Sequence, residues 1–362
     1  MSFKLAQFIS PDFTQEKFLN SPDCQLLKAP FDGVAPDDYH ATSIFPEYFK
    51  INGEWYMAKE SRMDCVPVFD GQEILVKEFR NLKKDDLVVC GRTEDCEEGI
   101  YVHFGAFEED KKQLDNFLFR NSRSRETAFS KDYDELIELL KYEKEHGYVV
   151  WVLGPAFSFD KDAREAFSKI INNGYVDALL AGNALATHDL EGAYLETALG
   201  QHIYTQENQP IGHYNHIDTI NKVRFHGSIK KFIEEENIDD GIIYSLEKNN
   251  VPYVLAGSIR DDGPLPPVYA NAYEAQDAMR SHVRKATTVI CMATTLHSIA
   301  TGNMTPMYRT LSDGSIRPVY FYCVDISEFT INKLIDRGSM SSKGIVTNVQ
   351  DFIVTIAKGL GL

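Results

Sequence analysis

The spacing of the hydrophobic positions changes at about residue 120 of the chain. Before it, short β-rich runs such as IYVHF alternate with turns, and YFKINGEWYMA has an Asn-Gly pair at its centre, which is typical of a tight hairpin. This pattern predicts a small β-rich domain over residues 1–120. After a polar stretch, DYDELIELLKYEKEHG repeats its apolar positions at helical spacing and ends in a glycine, as a helix does.

Residues 121–362 alternate continuous apolar runs with amphipathic segments. The predicted strands are YVVWVLG, VDALLAGN, VPYVLAGS, TTVICMATT and PVYFYCVDIS, and the predicted helices include DAREAFSKIINNG, THDLEGAYLETALG, AYEAQDAMRSHVRKA and INKLIDRG. Apolar strands that alternate with helices form a parallel sheet covered on both faces. We therefore predict an α/β chain in which a doubly wound parallel-sheet, nucleotide-binding domain follows the smaller N-terminal one.

Composition and charge limit the class of partner. The chain has 362 residues, of which 43% are hydrophobic and 25% charged, which is an ordinary globular composition with room for two packed units. Its formal net charge of −17 repels a nucleic-acid backbone or an anionic membrane at long range and mildly favours a cationic substrate. Neither nucleic acid nor a membrane is therefore expected as a partner.

The absence of certain sequence patterns bears on the cellular location and on the chemistry of the cysteines. No run approaches 18 consecutive apolar residues and the N-terminus has no signal-peptide pattern, so a cytoplasmic location is expected. Six cysteines are scattered without a CxxC pair, which argues against disulfides and a zinc site. Cys291 and Cys323 lie in strand-like apolar runs and are expected to pack in the core.

Glycine-bearing segments follow the predicted strands directly. In an open α/β sheet, ligands bind beyond the carboxyl ends of the strands, where glycines allow a phosphate to approach and helix N-termini present N–H groups. Neither GxGxxG nor a P-loop is present, and a plain turn is the alternative for any one segment. The candidate cofactor residues in these segments are Gly154, Pro155, Gly182, Asn183, Ala184, Asp189, Gly257 and Ser258.

Charged residues lie at two of the same strand ends. Asp325 ends a strand, where a carboxylate accepts hydrogen bonds from ribose hydroxyls and favours NAD over NADP, although a helix N-cap is an equal alternative. Arg260 can bind a carboxylate with two hydrogen bonds. Asp261 and Asp262 can hold ammonium groups or act as acid and base, with a solvated surface turn as the alternative.

Four histidines lie at positions that bear on catalysis or metal binding. His297 and His188 each lie near a strand end, where an imidazole can transfer a proton, although a histidine beside apolar residues is more commonly structural. His213 and His216 are three residues apart without a carboxylate-rich helix around them, which does not predict a metal site. No metal is therefore expected.

Several long strings resemble one protein family. GYVDALLAGNALATHDLE, AGSIRDDGPLPP, TTLHSIATGNMTP and DRGSMSSKGIVTNVQDF resemble the archaeal ornithine cyclodeaminases and the C-terminal part of cyanobacterial arginine dihydrolases, which carry the LOR/SDH conserved domain. In the small domain the resemblance runs from about residue 28 through APFDGVAPDDYHATS, NGEW, MDC and KKDDLVVCG. A more distant resemblance, to the NAD-binding fold of deoxyhypusine synthase, involves AGNALATHD and LHSIATGNM.

The resemblance implies an NAD-dependent enzyme, in the form of a homodimer or homotetramer. Its reaction would convert L-ornithine, or a related diamino acid, to proline and ammonia through an imine, with the hydride returned at the end. The resemblance adds Gly302 and Asn303 to the cofactor site. The substrate-binding candidates are Arg260, Cys65 and Asp64, and the catalytic candidates are Asp262, Asp261 and His297.

Two segments depart from the family pattern. Phe157, Ser158, Phe159 and Asp160 stand where the family usually carries Val-Val-His-Thr-Gly after Gly-Pro-Ala, and Ile44 stands where an amide is usual. Both changes bear on the identity of the substrate. An NAD-dependent oxidoreductase of another amino acid and a catalytically silent NAD-binding regulatory protein therefore stay open as alternatives.

Overall fold

The N-terminal part of the chain is built from two antiparallel β-sheets, in agreement with the predicted β-rich character. A computed structural model describes residues 3–107, 130–259, 263–336 and 342–362. The N-terminal elements are α1 (Glu16–Leu19), β1 (Gln25–Lys28), β2 (Glu47–Ile51), β3 (Glu54–Met57), β4 (Val66–Phe69), β5 (Ile74–Lys77), β6 (Leu87–Cys90) and β7 (Ile100–Val102). One sheet has the strand order β1-β6-β4-β5 and the other β3-β2-β7. Asn52 and Gly53, both with positive φ, form the predicted hairpin turn between β2 and β3.

The C-terminal part alternates strands and helices. Its helices are α2 (Ser130–His146), α3 (Lys161–Asn172), α4 (Asn183–Leu195), α5 (Asn215–His226), α6 (Ile229–Glu235), α7 (Ile242–Asn249), α8 (Ala272–Val283), α9 (Thr295–Met304), α10 (Glu328–Asp336) and α11 (Val349–Leu360). Its strands are β8 (Val149–Leu153), β9 (Ala178–Gly182), β10 (Thr197–Ala198), β11 (Gln201–His202), β12 (Tyr253–Ala256), β13 (Thr288–Met292), β14 (Tyr308–Thr310), β15 (Ile316–Pro318), β16 (Tyr320–Asp325) and β17 (Ser342–Val346). Within the described ranges, no helix is long and apolar enough to cross a membrane.

Six of these strands form one parallel sheet in the order β12-β9-β8-β13-β16-β17. The chain enters at β8 in the middle, moves outward through β9 to β12, returns to place β13 beside β8, and then moves outward on the other side. This is the doubly wound order 3-2-1-4-5-6, with its topological switch point between β8 and β13. The predicted fold class is confirmed. The predicted domain boundary at residue 120 lies outside the described residues.

The two faces of the sheet carry separate hydrophobic cores. In β8, Val149, Trp151 and Leu153 belong to one core, together with side chains from α2, α3, α4, α7 and α11. Val150 and Val152 belong to the other core, with side chains from α8, α9 and α10. Because successive strand residues point to opposite faces, one continuous apolar run fills both cores.

Three elements differ from their sequence patterns. Helix α4 begins at Asn183 rather than at the predicted Thr187, because Gly182 both ends β9 and serves as the N-cap of α4. Most of this helix is buried, so no polar face marks where it begins. Strand β17 starts with polar residues and was not predicted. Helix α11 was also not predicted, although Phe352, Ile353 and Ile356 give it a clear apolar face.

The N-terminal part packs beside the amino-terminal edge of the large sheet. Around the hairpin β14–β15, which precedes β16, the N–H of Met307 donates to the carbonyl oxygen of Ile44, and the Tyr308 hydroxyl donates to that of Ala58. Ile44, Met307 and Tyr308 form a shared apolar cluster. Residue 44, one of the departures from the family pattern, is therefore a packing residue between the two parts.

Candidate active site

The switch point joins the end of β8 to the loop that follows β13. The N–H of Gly154 donates to the carbonyl oxygen of Met292, 2.9 Å away. A Cβ atom at residue 154 would lie 1.8 Å from the carbonyl oxygen of Ala293, so only glycine fits there. Ala293 itself has a φ of 55°, a left-handed conformation that costs energy for a residue with a side chain. Pro155, which is exposed, then begins a short 3₁₀ turn.

Gly182 and His297 meet beside this switch point. Gly182 leaves the first turn of α4 without a side-chain cap, and Ala184 in that turn is half-exposed. A Cβ atom at residue 182 would lie 3.2 Å from Cε1 of His297. His297 belongs to the first turn of α9, where its N–H donates to the N-cap hydroxyl of Thr294. Two helix N-termini, each with a partial positive charge, therefore flank one site.

The same edge combines an imidazole with apolar and acidic groups. Burial lowers the pKa of His297 below its usual 6.5, so the ring is neutral at pH 7 and able to accept a proton. Leu296 and Ile326 are 76% and 68% exposed there, an apolar rim that suits a flat organic ring. Asp325 lies at the end of β16, and its Oδ1 accepts the N–H of Ser327 at 2.8 Å. This hydrogen bond forms a local turn just before α10, three residues ahead of its first residue, so Asp325 is near the predicted N-cap position without occupying it. Within the described residues, no hydrogen bond uses its second oxygen.

Gly257 and Ser258 follow β12 at the outer end of the edge. The N–H of Gly257 donates to the carbonyl oxygen of Tyr269, and a Cβ atom at residue 257 would lie 2.9 Å from that oxygen. The close approach of this neighbouring backbone is sufficient reason for the glycine. Ser258 is exposed.

The segment that follows Ser258 carries the charged candidates. Three predicted site residues lie outside the described ranges: Arg260, Asp261 and Asp262. The chain beyond them is held at the carboxyl edge. Asn183 Oδ1 accepts the N–H of Leu265 at 3.0 Å, and Arg224 donates to the carbonyl oxygen of Pro264 at 2.9 Å. Asn183 thus positions this loop through its side chain.

Asp189 requires a correction, because its carboxylate is used inside the protein. It is fully buried, and Arg164 Nε donates to its Oδ1 at 2.8 Å. The backbone N–H groups of Ile242 and Ile243, at the start of α7, donate to its two oxygens at 3.0 and 2.8 Å. The predicted cofactor role for Asp189 is wrong, since the carboxylate joins α3, α4 and α7.

Gly302 and Asn303 also lie away from the edge. They belong to the last turn of α9, roughly 10–12 Å along the helix axis from its first residue. A Cβ atom at residue 302 would lie 2.3 Å from Cδ2 of Leu334, so Gly302 allows α9 and α10 to pack closely. Because α9 runs from the carboxyl edge towards the amino edge, both residues lie farther from that edge than His297, and their role in the cofactor site stays a prediction.

Cys65 and Asp64 are placed at the amino edge with the N-terminal part. Cys65 is 1% exposed, its Sγ accepts from Arg62 Nε at 3.0 Å, and burial raises the pKa of the thiol. Arg62 and Arg280 both bind Glu78, and Arg280 is in the last turn of α8, just before β13 begins. Strand β13 separates this point from the carboxyl edge by roughly 15 Å. Cys65 and the exposed Asp64 therefore lie away from the carboxyl edge, and their substrate-binding role stays a prediction.

The structure also assembles a polar cluster that the sequence patterns did not predict as a unit. His188 Nδ1 lies 2.8 Å from Glu191 Oε2. The His188 ring contacts the rings of Phe159 and His216, with centroids 5.3 and 6.0 Å away. The spacing of His188 and Glu191 on a predicted helix was a usable signal, since residues three apart share a face. Nothing local signals His216, which comes from the next helix.

The strand order and the two helix N-termini at the switch point define a doubly wound α/β protein of the Rossmann type. Comparison with known families supports this class. Residues 135–356 match "Arginine dihydrolase ArgZ-like, C-terminal, Rossmann fold", and residues 46–128 match the first region of the same C-terminal part. The chain belongs to this ArgZ-like C-terminal family.

Individual relatives agree with the family. The chain is 37% identical over 345 residues to the ornithine cyclodeaminase of Methanopyrus kandleri, covering 94% of this chain and 79% of that protein. A conserved LOR/SDH protein from Methanococcus maripaludis S2 superposes with a TM-score of 0.84 at 36% identity, covering 94% of this chain and 98% of that one. The ternary complex of AgrE with ornithine and NAD+ gives a TM-score of 0.59 at 33% identity, covering 94% of this chain but only 46% of AgrE. The predicted resemblance to the archaeal ornithine cyclodeaminases is confirmed.

Proposed function

We propose that the chain is an NAD-dependent, ornithine cyclodeaminase-like enzyme that converts L-ornithine, or a related diamino acid, to proline and ammonia. One observation carries the proposal. The site-bearing fold aligns over 94% of its length with AgrE, a protein whose structure was solved with ornithine and NAD+ bound. The direct test is to incubate the purified chain with NAD and a panel of diamino acids and to measure ammonia and cyclic products.

The residues at the carboxyl edge fit a dinucleotide. Gly154 and Gly182 keep the two strand ends free of side chains, and the N-termini of α4 and α9 suit a pyrophosphate. The second oxygen of Asp325 suits a ribose hydroxyl, and Leu296 and Ile326 suit a flat ring. Bound there, NAD would supply a reversible acceptor for the hydride of the substrate's α-carbon.

The protein's own groups bind and deprotonate the substrate. Arg260 is assigned to the α-carboxylate, which a guanidinium can bind with two hydrogen bonds. Asp262, with Asp261 as its neighbour, is assigned to the amine or to the proton that the amine loses. His297 is neutral at pH 7 because burial lowers its pKa, and it is assigned to proton transfer next to Gly182.

Two departures from the family pattern bear on which amino acid is the substrate. Phe157 is fully buried and packs against Phe167, with ring centroids 5.4 Å apart, so this departure from the family pattern belongs to the core. Phe159 instead packs on His188 beside the site, which favours a change in the substrate's side-chain pocket over a loss of chemistry. A regulatory protein without catalysis would bind NAD but release ammonia from no member of the panel.

NAD is expected to stabilise the native protein, because any ligand that binds only the folded state raises the free energy of unfolding. At about 100 times its dissociation constant the gain is about 2.7 kcal/mol. Thermal unfolding with increasing NAD measures it, and NADP is the matched control because its 2′-phosphate would meet Asp325. No rise at millimolar NAD would contradict the cofactor assignment, and a larger rise with NADP would contradict the role of Asp325.

Replacing Asp262 by asparagine is expected to lower turnover by about 100-fold or more, the usual contribution of a general acid or base. The change keeps the shape of the side chain and removes its charge, so NAD affinity should hardly change. Asp313→Asn is the matched control, since Asp313 is an exposed turn residue that accepts from Ser315. Near-normal turnover of Asp262→Asn would make Asp262 a solvated turn residue, and loss of NAD binding alone would move it to the cofactor site.

A further inference from the structure

A buried carboxylate aligns one histidine beside the candidate active site. Glu191 is fully buried, and its Oε2 lies 2.8 Å from Nδ1 of His188. Its other oxygen accepts from the hydroxyl of Thr197 at 2.8 Å and from the N–H of Gly200 at 3.3 Å. A carboxylate only accepts hydrogen bonds, so it places the proton of a neutral His188 on Nδ1 and leaves Nε2 as an acceptor.

A second histidine and a phenyl ring complete this group, which we call the histidine cluster: Phe159, His188, Glu191 and His216. Phe159 packs edge-on against His188, and the His216 ring lies 6.0 Å from the His188 ring. Phe159 and His216 are half-buried, so the cluster reaches solvent between them. It combines imidazole nitrogens, an aromatic face and a compensating carboxylate, a set that suits an ammonium group.

The cluster lies next to the switch point. Phe159 ends the 3₁₀ turn that starts at Pro155, directly after β8. His188 lies one helical turn beyond Ala184, on the face of α4 that carries this half-exposed first-turn residue. His188 is therefore positioned to meet the side-chain end of an amino acid whose α-carbon reacts at the carboxyl edge, as the proposed function requires.

We propose that His188, aligned by Glu191, and His216 bind the side-chain ammonium group of the diamino acid and accept the proton that it must lose before its nitrogen can attack. The proposal rests on the proposed function and names the part of the site that makes the side-chain amine reactive. Glu191 acts as a positioning residue, since it works through His188.

Protons and electrons are conserved in this proton transfer. One N–H bond of the ammonium group breaks, its electron pair stays on the amine nitrogen, and a new N–H bond forms on an imidazole nitrogen. The positive charge moves to the imidazole, where the Glu191 carboxylate compensates it at 2.8 Å from His188 Nδ1. The α-amino group later departs and carries that proton away as ammonium, which returns the histidines to their starting state.

The charges around His216 support a neutral acceptor. Burial, and after it the nearby His188, lowers the pKa of His216 below 6.5, and His213 acts in the same direction. Glu191 opposes this shift. The net lowering means that His216 gains its proton only below pH 6.5, so turnover that depends on its free ring should rise as the pH rises through that pKa and then level off.

The test uses His188→Gln, His216→Gln and Glu191→Gln in the full chain with NAD and ornithine. Each histidine variant is expected to lower turnover at pH 7 by about 100-fold. Between pH 7 and 9 the loss should shrink by roughly tenfold per pH unit, because the fraction of free amine in solution grows at that rate. Glu191→Gln should give a smaller loss with the same rescue. His146→Gln is the matched control, since His146 ends α2 at the opposite edge of the sheet.

Two outcomes would overturn the proposal. Histidine variants within threefold of the parent at pH 7, or slowed equally at every pH, would give the cluster a structural role only. A binding readout works even if the parent releases no ammonia and the proposed function fails. Ornithine added to the NAD-loaded protein should shift the imidazole NMR signals of His188 and His216 and leave His146 unchanged, whereas unshifted signals would reject the assignment.

Discussion

Replacing Asp189 by alanine is expected to lower the free energy of unfolding by about 3–5 kcal/mol, the usual cost of removing one partner from a buried ion pair. Arg164 is 2% exposed and would keep a charge without its nearest acceptor. The N–H groups of Ile242 and Ile243, which donate to the Asp189 carboxylate, would also lose their acceptor. Urea unfolding followed by circular dichroism measures the change, which is a large part of a typical total stability.

The matched control for Asp189 is Glu165→Gln on helix α3. Glu165 and Lys161 form an exposed pair at 3.8 Å, and such pairs are worth about 0–1 kcal/mol, so this variant should unfold almost like the parent. Combining Arg164→Met with Asp189→Leu should recover part of the loss, since no isolated charge then remains in the core. If Asp189→Ala kept the parent's stability and lost NAD affinity, Asp189 would be a cofactor residue and not a structural one.

Gly154→Ala is expected to lower stability by about 3 kcal/mol and to weaken NAD binding at least tenfold. The new Cβ atom would lie 1.8 Å from the carbonyl oxygen of Ala293 and 3.1 Å from Cβ of Thr294. A backbone atom cannot rotate aside as a side chain does, so the loop after β13 must move. The expected loss of stability is therefore at the upper end of the usual cost of overpacking. That loop carries the first turn of α9 and His297, which explains why binding and stability should fall together.

Two glycines provide graded controls for Gly154. Gly105→Ala adds its methyl group to open space, with no atom within 4 Å, and should leave both properties unchanged. Gly182→Ala meets Cε1 of His297 at 3.2 Å, a side-chain contact that can relax, so an intermediate effect is expected. Thermal unfolding and an NAD titration rank the three variants. Equal behaviour of all three would contradict a special role for the switch point.

The sequence determined the layered architecture of the large part. In β8 and β13 every residue is buried, and continuous apolar runs of this kind predict strands that face a core on both sides. The burial of Cys291 and Cys323 follows from the same pattern. The sequence also predicts the Asn-Gly hairpin, since its turn depends only on local backbone preferences. These features are local, so a single stretch of chain is enough to specify them.

Only the tertiary structure decided how the candidate residues are used. In the sequence, Asp189 belongs to the same string as Asn183 and Ala184, which lie near the carboxyl edge. Its partner Arg164 is 25 residues away along the chain, so the string itself does not show that the carboxylate is used inside the protein. Likewise, only the packing of the N-terminal part places Cys65 at the amino edge, which its local sequence does not show.

The histidine cluster is another site that the sequence predicts only in part. His188 and Glu191 share a helix face, which spacing alone predicts, whereas His216 joins them only because α5 folds back across α4. A sequence pattern records which face of a helix or strand a residue occupies. Which faces meet depends on the summed burial and hydrogen bonding of the whole chain, so residues far apart in sequence become one site only in the folded state.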